Sequence, residues 1–223
     1  MKVSSALSVA SLVVLWSAGA LAQDPAKVAS DHYKVLLDND TVRVLKVDYP
    51  AGSKAAMHSH PDAIAIPLTD AKGRFTTPDG KSEDRSMTAG EPLYTPADTH
   101  SPMNAGATPM QVLLVEFKAA KPGTAALPAS RANLATKSTA EGPYATAYKA
   151  TADPTFEEPA GSKHDYAQVV VALAPIQMSL SIDGKAPKTT WARGDVQYIG
   201  RNVPHASKNT SGKPVDFIIV AIK

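Results

Sequence analysis

The sequence predicts an all-β chain built from two tandem copies of one antiparallel sandwich or barrel. Three observations lead to this. Short β-branched or alternating runs recur between turn signals along the chain. No long stretch carries a helical apolar period. A set of short segments also returns in the same order. "PAGSK" at 50–54 reappears at 159–163, and "DGK" at 79–81 reappears at 183–185. "AGEPLYTPADTHSPMN" (89–104) is echoed by "RGDVQYIGRNVPHASKN" (193–209). At an offset of 104, then 105 after one inserted residue, His60 falls on His164, Gly80 on Gly184, Gly90 on Gly194, His100 on His205 and Asn104 on Asn209. Five matched positions at one spacing exceed what the chance return of a pentapeptide explains.

The first element to justify is a leader. Met1-Lys2 gives a positive start, Leu7 to Trp16 is a ten-residue apolar core, and Ala20 and Ala22 offer the small residues of a cleavage site. A bilayer span takes roughly 20 apolar residues, so this run reads as a secretory peptide at 1–22, cleaved after Ala22. The mature protein is then expected to be periplasmic or secreted, with no membrane attachment after cleavage. No Cys follows the run, so a lipoprotein anchor is excluded.

The first copy is read over 31–118. Its strand candidates are "YKVLLDNDTVRVLKVDYPAG", "AIAIPL", "GRFTTPDGKSEDRSM", "EPLYTPA" and "MQVLLVEFK". The second copy is read over 146–223, with "AQVVVALA", "QMSLSIDGKAPKTTW", "DVQYIG" and "VDFIIVAIK" in matching order. Between them, residues 119–145 are rich in Ala, Pro, Ser and Thr and read as a linker.

Charge and composition exclude several roles. Lys and Arg number 23 and Asp and Glu 21; the leader removes only Lys2, leaving 22 against 21. No basic block points to nucleic acid. The absence of Cys removes disulfides and thiol catalysis, and 43% hydrophobic residues provide material for a core that needs no disulfide. No Ser-His-Asp order, phosphate loop or pair of catalytic carboxylates is visible.

The stretch "AMHSHPDAIAIPL" (56–68) carries the chemical signal. His58 and His60 stand two apart, so on a strand they share a face. By themselves they are either metal ligands at a pocket mouth or polar side chains on a wet edge. His100, forty residues after His60, follows a Gly-initiated strand, and antiparallel neighbours would bring it close. Three imidazoles are a common ligand set for zinc, iron, copper, nickel or manganese.

These residues carry a family resemblance. Gly52, five residues, then His58-x-His60 resembles the first half of the first cupin motif. Gly90, Pro96, His100 and Asn104 are similar, in order, to the second cupin motif, with Pro96 to His100 one residue shorter than usual. In the second copy, Gly194 to His205 has the usual length, with Gly200 at the proline position. The chain therefore looks like a two-domain cupin, and its first copy resembles small bacterial cupins built around "HSHPD" and "PAxTH". The resemblance implies a tandem duplication of a double-sheet jelly-roll barrel, with a divalent transition metal (Fe, Zn, Mn, Ni or Cu) on His58, His60 and His100.

The departures matter as much. The family's glutamate should lie at Ala63 or Ile64, and neither can ligate. That leaves a neutral set of three imidazoles, similar to the set in thiol-dioxygenase cupins, with positions open to substrate or water. Asp62 is expected to point away from the metal. In the second copy His58 aligns with Ser162, Ile64 with Gln168 and His100 with His205. Two histidines and a neutral amide remain, so that copy is read as a degenerate barrel kept for packing. Two functions are implied: a metal-dependent oxygenase, isomerase or lyase acting on a small organic molecule, or a non-catalytic module binding a small molecule or the metal. A monomer serving as its own pseudo-dimer, or a homodimer, is expected.

Overall fold

The computed structural model describes residues 23–119, 123, 124, 128, 130 and 132–223. The leader read at 1–22 lies outside them. A single helical turn, α1 (Pro25–Val28), opens the described chain, with Asp24 as its N-cap accepting from the Ala26 amide at 3.0 Å. Among the described residues all other regular structure is strand, and no helix is long and apolar enough to cross a membrane.

Nine strands follow α1: β1 (Tyr33–Asp38), β2 (Val42–Tyr49), β3 (His58–His60), β4 (Ala63–Pro67), β5 (Ala71–Thr76), β6 (Ser82–Met87), β7 (Leu93–Thr95), β8 (Asp98–Asn104) and β9 (Met110–Phe117). Nine more repeat them: β10 (Leu134–Glu141), β11 (Ala145–Ala152), β12 (Glu157–Ser162), β13 (Ala167–Ala172), β14 (Ile176–Ile182), β15 (Lys188–Trp191), β16 (Val196–Ile199), β17 (His205–Asn209) and β18 (Val215–Ile222). The first nine form a five-stranded sheet, β1-β2-β9-β4-β7, and a four-stranded sheet, β3-β8-β5-β6. The second nine form β10-β11-β18-β13-β16 and β12-β17-β14-β15, the same two orders advanced by nine strands. The repeat in the sequence is thus a repeat of topology: a tandem duplication of an antiparallel double-sheet barrel.

The two five-stranded sheets pack against each other through their outer faces. Val42, Val44, Ile64, Ile66 and Val115 of one barrel join Ala147, Val169, Val171, Ile218 and Val220 of the other in one buried cluster. β4 and most of β9 are buried on both faces for this reason: one face fills the barrel, the other meets the second barrel. The contact is reciprocal at its edges. Gly90 (φ +73°) and Gly194 (φ +85°) hold left-handed turns. A Cβ at Gly90 would come within 3.3 Å of Leu173, and one at Gly194 within 3.2 Å of Leu68. Asn104 and Asn209 also play one role twice. The Asn104 amide donates to the carbonyls of Tyr49 and Thr108, and that of Asn209 to those of Ala152 and Lys213, tying each β8–β9 type turn to the barrel wall.

Two expectations are corrected. The stretch read as a linker, 119–145, contains β10, which pairs along its length with β11. Its small polar composition reflects an edge strand with an alternating, mostly exposed burial pattern, which needs no large apolar side chains. The alignment of Ile64 with Gln168 is off by one residue. Ala63 pairs with Glu116 on β9, and Gln168 with Ala221 at the matching position of β18. Gln168 therefore corresponds to Ala63 and faces its barrel interior, while Ile64 and Val169 share the interface between barrels.

Candidate metal centre

β3 is only three residues long, and its pairing with β8 builds the site. His58 stands opposite His100, and His60 opposite Asp98. His58 and His60 turn into the barrel, whereas Ser59 turns out and meets the Thr99 hydroxyl at 2.7 Å. The three imidazoles converge, with ring centroids 4.9 Å (His58–His60), 5.3 Å (His58–His100) and 5.4 Å (His60–His100) apart. One donor nitrogen from each lies within 4.8 Å of the others.

In each ring the other nitrogen is engaged with an oxygen. His58 Nδ1 donates to the Ala56 carbonyl at 2.8 Å, His60 Nδ1 to Glu116 Oε1 at 2.6 Å, and His100 Nδ1 to Asp98 Oδ2 at 3.0 Å. Fixing the proton on Nδ1 leaves each Nε2 with its lone pair, the tautomer a metal ligand needs. Burial pushes the His58 imidazole down to about 4 and lowers His100, so both stay neutral over most of the physiological range. The Asp98 carboxyl is pushed up by burial, but the His100 hydrogen bond and charge outweigh this and hold it below its ordinary value. Tyr33 donates its hydroxyl to His58 Nε2 at 3.1 Å, and burial raises its own pKa well above the usual phenol value.

Glu116 is the residue the sequence reading missed. It is 1% exposed near the end of a mostly apolar strand and sits across from Ala63, where the resemblance placed a glutamate. Its carboxylate turns to His60 Nδ1 and to Arg43 Nε (2.6 Å), and Arg43 passes on to Asp24 at 3.0 Å. The carboxylate thus comes from the neighbouring strand and steadies a ligand rather than joining the donor set. A lone Glu inside "MQVLLVEF" is the signal that could have found it, since a buried carboxylate needs a partner. Asp62 accepts from Tyr94 at 2.6 Å and takes no place among the imidazoles, as expected. His32 is structural: it bonds the Asp48 carbonyl and stacks on Tyr49.

A cavity of about 360 Å³ opens beside His60 and His100, walled by Val47, Met87, Leu93, Val112 and Leu114, with Arg85 and Asp98 as its charged residues. That is within the size range of small-molecule sites, roughly 300–1,000 Å³.

The second barrel holds a different group. Glu158, His164 and His205 bring one donor atom each within 4.8 Å of one another. The two oxygens of Glu158 lie 3.4 Å from His164 Nε2 and from His205 Nε2, and Ser207 donates to Glu158 Oε2 at 2.6 Å. Ser162 pairs with His205 as His58 pairs with His100. The expected pair of histidines is therefore present, but the third donor is a carboxylate from β12, and Gln168 lines the same cavity of about 120 Å³. Trp191 is buried core and donates to the Met178 carbonyl.

With this geometry in place, comparison with known proteins is informative about the fold. No protein-family model and no curated protein sequence matches the chain. Among solved structures it is similar to AerE from Microcystis aeruginosa (TM-score 0.61, 14% identity, covering 86% of this chain and 93% of that one). It is also similar to a cupin 2 conserved barrel domain protein from Leptotrichia buccalis (TM-score 0.55, 11% identity, 86% and 88% covered). Salicylate 1,2-dioxygenase from Pseudoaminobacter salicylatoxidans, solved as a gentisate adduct, matches with a TM-score of 0.59 at 12% identity over 83% of this chain and 70% of that one. At these identities the similarity establishes the architecture, a duplicated cupin β-barrel. It leaves the chemistry to the residues.

Proposed function

We propose that the first barrel holds one divalent transition metal through Nε2 of His58, His60 and His100, and that the protein is a periplasmic or secreted cupin acting on a small organic molecule. One observation carries this reading: all three Nδ1 atoms are engaged with oxygen partners, which leaves Nε2 of each ring as an acceptor, that of His58 shared with the Tyr33 hydroxyl. A structural cluster would need no such agreement of tautomers. Three neutral imidazoles suit iron, zinc, manganese, nickel or copper, and fewer ligands than these metals accept leaves room for substrate or water. When bound, the metal would supply Lewis acidity or activation of a bound small molecule. The chain's own residues do the rest. Glu116 and Asp98 orient two ligands, Tyr33 offers a buried hydroxyl beside the third, and the mostly apolar cavity beside His60 and His100 gives a small molecule room next to them. The open volume next to the ligands favours an enzyme over a simple metal carrier. The contact between the two five-stranded sheets supports a monomer acting as its own pseudo-dimer.

The test is elemental analysis of the mature protein beside His100→Ala. About one equivalent of a transition metal, lost in the variant, is expected of a site with three side-chain ligands. No metal in either protein after reconstitution would sink the reading.

A further inference from the structure

The chemistry of the cavity wall narrows what the first barrel takes. This step rests on the metal reading above. Three neutral imidazoles bring no charge to offset a divalent cation, and the nearest carboxylate, Glu116, is spent on Arg43 and His60. Asp98, the only acidic residue lining the cavity among the described residues, accepts from His100 Nδ1 and from the Thr99 amide at 2.7 Å. A cavity with that balance selects an anion.

The cation at its mouth is Arg85. Its guanidinium lies 5.1 Å from the centroid of Phe75, and Phe75 in turn meets His100 edge-on with centroids 5.2 Å apart. One aromatic ring therefore separates the arginine from a metal ligand. Glu83 takes one Nη2 contact at 2.9 Å and is itself mostly exposed, leaving further donors of the guanidinium fork. That planar fork matches a carboxylate in two-point contact. The walls are mostly apolar, with Met87, Leu93, Val112 and Leu114 among them and, among the described residues, hydroxyls only from Tyr33, Tyr49, Thr77 and Thr95, and Leu93 is 41% exposed. Walls with this excess of apolar side chains fit a hydrocarbon body better than a fully hydroxylated one.

We infer that the ligand class of the first barrel is a small organic acid with an apolar body of about one ring, its carboxylate on Arg85 and its far end toward the three imidazoles. Phe75 sets the distance between the two ends.

The experiment uses three probes on the mature protein by calorimetric titration: benzoate, benzamide with the same body but no charge, and acetate with the charge but no body. Benzoate is expected to bind about tenfold tighter than either. Arg85→Gln should remove about tenfold of benzoate affinity while leaving benzamide unchanged, and Arg85→Lys, which keeps the charge but not the fork, should fall between. Equal binding of benzoate and benzamide, equal binding of benzoate and acetate, or no benzoate binding would each overturn the inference. Metal content measured on the same samples separates the two readings. A metal-loaded protein indifferent to benzoate overturns the ligand class alone. A metal-free protein that prefers benzoate, and loses the preference in Arg85→Gln, upholds the acid class while the metal reading falls.

Discussion

The two barrels share one strand order yet place their carboxylates differently. In the first, Glu116 and Asp98 touch Nδ1 of the histidines and stay behind the imidazoles. In the second, Glu158 stands among the donor atoms, 3.4 Å from both Nε2. A carboxylate behind a histidine fixes its tautomer and raises its basicity; a carboxylate beside it changes the charge of the donor set. The same scaffold thus presents a neutral group of three nitrogens in one half and a mixed group of two nitrogens and a carboxylate in the other. Where the strand register places an acid decides which of these chemistries a barrel offers.

The comparison breaks most readily at Glu116. Glu116→Gln keeps the shape but removes the charge that holds His60 and Arg43. Metal affinity of the first barrel should fall by about 10–100-fold in a chelator-competition titration. A change under twofold would show that the buried carboxylate serves folding alone.

Acid stability of the chelator-treated protein sharpens the same contrast. His58 is held near 4 by burial, whereas in the unfolded chain it takes a proton near its ordinary value of 6.5. Between these values the unfolded state binds more protons, so stability falls as pH drops from about 6.5 to about 4 and this contribution levels off below. The lowered His100 acts in the same direction. Urea midpoints should decline across that window, and His58→Ala should flatten the decline. A midpoint unchanged between pH 6.5 and 4 would contradict the burial argument.

A smaller effect is expected at Tyr33. Its hydroxyl occupies the lone pair of His58 that a metal needs. Tyr33→Phe removes that competitor, worth about 1 kcal/mol for a typical hydrogen bond, so metal affinity should rise by a few-fold. A fall would mean that Tyr33 itself helps hold the metal. The least effect belongs to the second barrel: Glu158→Gln should leave metal affinity at His58, His60 and His100 unchanged. A parallel loss there would show that the two barrels are coupled across their packed sheets.

The legible part of the molecule was local or repetitive. The duplication showed because its glycines and asparagines return at one spacing, and the structure gives them turn and tie roles twice over. The histidine pair showed because residues two apart on a strand share a face, so "HSH" predicts two imidazoles on one side without knowledge of the fold. β10 was hidden by composition, since a solvent-facing edge strand of Ala, Ser and Thr looks like a linker.

What no local pattern could show was the origin of each carboxylate. Glu116 lies fifty-six residues beyond His60 and reaches it only because β9 runs beside β4 with Glu116 opposite Ala63. Glu158 reaches its histidines through an irregular stretch of β12, where the pairing with β17 shifts between Glu158 and Ser162. The amino-acid sequence by itself determined the fold class, the duplication and the candidate ligands, because periodicity and spacing act over a few residues. Only the tertiary structure decided which acids stand behind the imidazoles and which stand among them, because cross-strand register joins residues that the chain keeps far apart.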